Sequence, residues 1–161
     1  MARQELFVTW LNDAHAMENV VATALKDQAA LAEDHPEMKS AIGQHLEATN
    51  RHMKTLEGCL ESLGESPSGI KDTMAKMGGK MQSMMQGGAG DTLLKAALND
   101  YSAEHMEIAS YESLIVAANE LGHSDIATQL QGILDDEKRM ANWLQEQILV
   151  LTRQELLNAN D

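Results

Sequence analysis

AEHMEIASYESL, residues 103–114, is the stretch that decides how this chain folds. Glu104 and Glu107 stand three residues apart in a segment that is otherwise apolar on that side. Leu93, Ala97, Ile108, Tyr111, Leu114 and Ala118 recur around them at the period of an α-helix. Two carboxylates on the stripe that should face a core need a partner, because unpaired buried charge is very costly. Either this face turns to solvent, or something cationic sits between the helices.

The rest of the chain has the composition for long helices. Apolar residues make up 43% of its 161 residues, but aromatics only 3%, and there are two prolines. That favours Ala-, Leu-, Met-, Glu- and Gln-built helices over strands, which draw on aromatic and β-branched residues. The length suits a single domain spanning residues 1–161. A net charge of −13 argues against nucleic acid and anionic membrane as partners and suits the attraction of cations. Cys59 is the only cysteine, so no intramolecular disulfide framework exists. Glu5 interrupts the first ten residues where a signal peptide needs its apolar run, and no stretch approaches a membrane span. The expectation is a cytoplasmic protein.

Outward from residues 103–114, the periodicity predicts helices over about 4–32, 36–63, 92–121 and 125–155, with a shorter one over 70–86. Asp34-His35-Pro36 breaks the first from the second, and Gly122 with Ser124 as N-cap breaks the third from the fourth. Residues 64–69 and 87–91, rich in Gly, Ser and Pro, flank the short helix, and Asp91 offers an N-cap to the third. Its Met74, Met77, Met81, Met84 and Met85 read as a packing face or a dimer contact rather than as soft-metal ligands. The fold expected is all-α: a four-helix bundle of two antiparallel hairpins, joined by a crossover that contains the short extra helix.

Depth within the hairpins brings polar residues together. Glu18 lies sixteen residues before Asp34 and Thr49 fifteen after it; Glu107 lies fifteen before Gly122 and Glu137 fifteen after it. One turn further from the turns come His15, His52, Glu104 and Met140. Three residues of helix rise about 4.5 Å, close to the roughly 3.5–4 Å that separates the ions of a two-metal site. The expected grouping is Glu107 with Glu18 and Glu137 on one level, and Glu104 with His52 and His15 on the next. Carboxylates and imidazoles suit iron, manganese or zinc, and bridging carboxylates let two ions share a cavity. The plainer alternative is a hydrogen-bonded polar layer with water, or with Lys and Arg side chains reaching in. His45 is a further candidate on the same helix as His52, whereas Glu47 faces solvent; Tyr111 is placed to hydrogen-bond a ligand or simply to pack.

In Met17-Glu18, in HLEAT (45–49), in EHMEIASY (104–111) and in DDEK (135–138), the chain resembles the ferritin-like superfamily, and within it the YciF-type bacterial stress-response proteins. The resemblance covers about Leu6 to Leu151 and implies a ferritin-like four-helix bundle. The superfamily pattern is Glu on helix one, Glu-x-x-His on helix two, Glu (or the rubrerythrin-like Glu-x-x-Glu) on helix three, and Glu-x-x-His on helix four. Glu18, His52, Glu104, Glu107 and Glu137 fit it, with His15 or His45 as a substitute ligand. Thr49 stands where the helix-two glutamate belongs, and Met140 where the helix-four histidine belongs. The resemblance implies two iron ions, or manganese or zinc in their place, with a site that the two replacements would leave partly filled or empty. It also implies a homodimer.

Two functions follow as expectations. One is a stress-response protein whose di-iron or manganese pair reacts with oxygen or peroxide, as a peroxidase-, catalase- or ferroxidase-like oxidoreductase. The alternative is a metal-free or structurally metallated helical assembly module without catalytic activity. No phosphate loop, nucleophile elbow or Cys-x-x-Cys motif points to other chemistry.

Overall fold

Long runs of good helix formers broken by Pro36 and by two glycines give four helices in the computed structural model, which describes residues 2–65 and 93–159. They are α1 (Arg3–Gln28), α2 (Pro36–Ser62), α3 (Leu93–Glu120) and α4 (Ser124–Asn158), and no strand occurs among the described residues. The short helix expected over 70–86, its methionine face, the Asp91 cap and Thr92 all lie outside the described residues.

Helix ends follow local chemistry. Glu5 accepts a hydrogen bond from the Ala2 backbone N–H at 2.9 Å and closes the start of α1. That helix stops at Gln28, four residues before the expected Ala32, because the chain must reverse ahead of Pro36. Residues 29–34 form tight turns instead, with Leu31 N–H donating to the Gln28 carbonyl and His35 N–H to the Ala32 carbonyl. Gly64 (φ 86°) and Gly122 (φ 79°) take the left-handed conformation that closes α2 and α3. Beyond them Glu65 N–H reaches back to Leu60 and His123 N–H to Ala118, at 3.1 and 2.8 Å. His123, rather than Ser124, occupies the N-cap of α4 and has no side-chain cap bond. Its ring stacks on Phe7 at 5.9 Å, and its Nε2 lies 3.0 Å from Gln4 Oε1.

That contact orients the bundle. The α3–α4 turn sits over the start of α1, so the two hairpin turns lie at opposite ends. Helices α1 and α2 pack along each other, as do α3 and α4; α1 also touches α3, while α2 meets α4 least. The apolar core is split in two. Phe7, Leu11, Leu56, Leu60, Leu114 and Leu130 fill the end with the α3–α4 turn, and Val21, Leu25, Ile42, Leu93, Leu144 and Leu151 fill the other. Each fully buried side chain of this size contributes roughly 1.5–3 kcal/mol, which leaves room for an expensive polar layer between the two clusters. No described helix is long and apolar enough to cross a membrane.

Candidate metal centre

Every helix sends a chemically active side chain into that middle layer. Glu18 comes from α1; His45, Thr49 and His52 come from α2; Glu104 and Glu107 come from α3; Glu137 comes from α4, and all are buried. The α2 residues recur at the four- and three-residue spacing that keeps them on one helix face. Glu104 and Glu107 do the same on α3, as their place in the apolar stripe requires.

Their contacts form two groups that share a residue. His52 Nδ1 lies 2.8 Å from Glu137 Oε1 and 3.3 Å from Glu18 Oε1. His45 Nε2 lies 3.2 Å from Glu104 Oε1 and 3.8 Å from Glu137 Oε2. One oxygen of Glu137 therefore serves each histidine. In both triads, Glu18–His52–Glu137 and His45–Glu104–Glu137, the candidate ligand atoms lie within 4.8 Å of one another, close enough to hold an ion. Glu107 is fully buried between the apolar clusters, and its charge couples to Glu18 and Glu137.

These groups converge without bonding one another. Seven of the eight oxygens of the four glutamates lack a hydrogen bond to any described residue, and His52 Nδ1 and His45 Nε2 are in the same condition. The close approaches are unaligned for hydrogen bonding, as expected when lone pairs aim at a common point. The eighth oxygen, Glu18 Oε1, accepts from the Tyr111 hydroxyl at 2.5 Å. No lysine or arginine is buried among the described residues, so only the histidines can carry positive charge within the layer. Lys138 instead pairs with Glu112 at the surface. Four buried carboxylates, seven of whose oxygens lack a partner, with no lysine or arginine beside them, fit divalent cations, and the oxygen–nitrogen donor set suits iron, manganese or zinc.

The electrostatics of the layer point the same way. Burial, reinforced by the charges of Glu107 and Glu137, pushes Glu104 up to about 12. Burial and then Glu18 and Glu137 push Glu107 far above the carboxylate range. Glu18 is also raised by burial, against the pull of His52. Glu137 goes the other way: burial would raise it, but the His45 and His52 imidazoles facing its two oxygens bring it to about 2. For His52 burial favours the neutral ring, and Glu137 and Glu18 overcome it, lifting the imidazole to about 10. Without a metal, the layer keeps itself close to neutral by holding protons.

Glu18, His52, Glu104, Glu107 and Glu137, all expected from the sequence, meet in this layer. His15 does not join either triad: it is buried, but its Nε2 lies 3.0 Å from Glu57 Oε1 on α2. His45 takes a place beside Glu104 that the expected grouping gave to His52 and His15. The reason is the head-to-tail arrangement of the hairpins. Moving away from one turn means moving toward the other, so His52 rises toward Tyr111 while Glu104 falls toward His45.

Two polar neighbours escaped the sequence reading. Asp136 Oδ2 accepts from His52 Nε2 at 3.1 Å and so keeps Nδ1 facing Glu18 and Glu137. Its spacing beside Glu137 in the DDEK run was visible, but a surface aspartate was the default. Asp100, one turn before Glu104, is buried, accepts from Gln28 at 2.7 Å, and is raised by burial to about 6.

Comparison with known proteins agrees with the architecture. The family described as Domain of unknown function (DUF892) matches residues 2–157. Protein YciF of Escherichia coli (strain K12) is 28% identical over 143 residues, covering 84% of this chain and 83% of that protein. The crystal structure of this E. coli stress protein superposes with a TM-score of 0.72 at 21% identity, covering 92% of this chain and 96% of that one. A Xanthomonas campestris pv. campestris protein of known structure is 33% identical with a TM-score of 0.79, covering 96% of each chain. A ferritin-like, diiron-carboxylate protein of Bacillus anthracis str. Ames, only 14% identical, shares the fold at a TM-score of 0.74, over 92% of this chain and 99% of that one. The bundle is ferritin-like, its relatives include a stress protein, and its buried Glu and His groups could hold metal.

Proposed function

We propose that this chain, which belongs to the DUF892 family, holds a pair of divalent iron or manganese ions in the polar layer, and that the pair reacts with oxygen or peroxide. The observation that carries the reading is Glu137, whose two oxygens face two histidines from opposite sides of a layer of orphaned carboxylates. Glu18 and His52 would hold one ion, His45 and Glu104 the other, with Glu137 between them and Glu107 supplying a further carboxylate.

When bound, the pair supplies a site where a small oxidant can be polarised and reduced. The chain's own residues set the conditions. Apolar clusters on both sides exclude bulk water and strengthen every charge interaction within the layer. Asp136 orients His52, and Tyr111 donates to Glu18 Oε1, the oxygen that also lies 3.3 Å from His52 Nδ1, and so fixes that carboxylate in the layer. Glu104 and Glu107 would have to give up their protons for cations to bind there. The missing helix-two carboxylate and helix-four histidine are thereby answered in part: His45, seven residues before His52, brings a second imidazole from α2.

The reading is tested by metal analysis of protein purified without chelator and loaded aerobically with ferrous or manganous ion. About two equivalents are expected for a two-metal site; less than about a tenth of an equivalent of Fe, Mn or Zn would sink the proposal. A Tyr111→Phe variant is expected to keep the fold and to weaken metal binding by roughly 10–100-fold, the usual effect of losing a group that orients a ligand. Competition with a chromophoric chelator measures it, and an unchanged affinity would mean that Tyr111 only packs.

A further inference from the structure

Helices α2 and α4 meet least of the neighbouring pairs, and the gap between them opens on the layer. A cleft of about 230 Å³ runs inward there, with Ala48 and Met140 among its walls and His45, His52 and Glu137 reaching it from inside. A wider hollow of about 470 Å³ continues it along the surface, sharing Gln44 and Trp143. Arg51 and Arg139 line the cleft and are both exposed.

The cleft brings together two arginines on an otherwise acidic molecule, with Glu137 deeper in it and Glu37 on the adjoining hollow. The chain carries a net −13, yet the two guanidiniums face a single partly exposed carboxylate, Asp136. Arg139 pairs with one oxygen of Asp136, whose other oxygen is occupied by His52. Arg51 has no carboxylate partner among the described residues. Positive charge at the rim of a cleft focuses a field that concentrates anions and repels cations. The inner volume falls below the roughly 300 Å³ at which ordinary ligand pockets begin, which sets the size of guest to a few atoms.

We propose that this cleft is the port through which small inorganic anions reach the layer, with Arg51 and Arg139 selecting negative charge and Ala48 setting the bore. The port rests on the metal reading only for what the anion meets at its inner end. Selection of charge at the mouth is a property of the polypeptide itself and is read without any metal.

Trp143 lies in the cleft, so its fluorescence reports who enters. In a Trp10→Phe variant, which leaves Trp143 as the only tryptophan, iodide should quench more strongly than caesium by at least about threefold, despite the net negative charge of the protein. Arg51→Glu with Arg139→Glu should reverse the order, with neutral acrylamide quenching unchanged. Caesium equal to or better than iodide in the starting variant would overturn the port. In Co(II)-loaded protein, azide binding followed in the visible spectrum should weaken about tenfold with Arg51→Glu and slow markedly with Ala48→Leu. Azide binding that ignores both substitutions would also overturn it. Failure to take up Co(II) would count against the metal reading, and the quenching order would still decide the port.

Discussion

Glu137→Ala is expected to remove both ions at once, whereas Glu107→Gln should weaken metal binding and leave the metal-free fold nearly untouched. The contrast follows from how the two glutamates are held. Glu137 stays ionised, with a carboxyl at about 2, because it lies between His45 and His52. Its removal takes one candidate ligand from each triad and leaves His52, raised to about 10, facing only Glu18 and Asp136. Breaking a buried charge pair on one side costs about 3–5 kcal/mol, so the metal-free variant should also melt well below the parent. Burial, with Glu18 and Glu137 beside it, raises Glu107 well above its usual value and favours its neutral acid. A neutral amide of the same shape replaces a neutral acid, and the change in stability should stay within about 1 kcal/mol. The measurements are urea denaturation of the metal-free variants and metal stoichiometry of the loaded ones. Equal behaviour of the two variants in both assays would contradict the division of roles; full metal occupancy in Glu137→Ala would contradict the shared ligand.

Most of the helices and most of the buried carboxylates were legible in the sequence, for one physical reason. Helical periodicity places each residue on a face, and a charged residue on the apolar face announces itself. Glu104 and Glu107 in the stripe of Ala97, Tyr111 and Leu114 are the plainest case, and all five are buried. Periodicity does not say which residues of different helices share a level. That depends on the direction of each hairpin, which the contact of His123 with Phe7 and Gln4 reveals. Counting outward from both turns paired Glu104 with His52. With the turns at opposite ends, one count must be reversed, and His45 then falls beside Glu104. Asp136 was hidden differently: on α4 it sits a third of the way exposed beside Glu137, and only the position of the His52 ring gives it a task. The early end of α1 reflects the need to turn before Pro36, a tertiary demand on residues that are good helix formers.

The second large effect is in pH. Metal-free protein should lose stability as pH rises from about 6.5 to 9, and metal-loaded protein should not. Glu104, at about 12 against a usual 4.5, and His52, at about 10 against 6.5, both have raised values in the folded state. Such groups contribute stability that is fully present below the unfolded-state value and lost as pH climbs through the folded-state value. For His52 that window is 6.5 to 10; for Glu104 it opens at 4.5 and extends to 12. Glu137, lowered to about 2, works in the opposite sense: its contribution is present above 4.5 and fades as pH falls toward 2. The two trends place the stability maximum of the metal-free protein in mildly acidic solution. A single group that stays protonated in the fold and ionised in the unfolded chain costs about 1.4 kcal/mol per pH unit. From pH 7 to 9 that amounts to roughly 3 kcal/mol for one group, or a fall in Tm of about 6–12 °C for a chain of this size. Divalent ions in the proposed site would replace those protons and keep the carboxylates ionised, so the slope should vanish, and loading near pH 7 should release protons into a weakly buffered solution. Differential scanning calorimetry at several pH values, with and without metal, reads the first effect, and a pH-stat reads the second. A metal-free Tm that rises through this range, or loading without proton release, would show that Glu104 and Glu107 are already ionised in the folded chain and that something other than protons balances the layer.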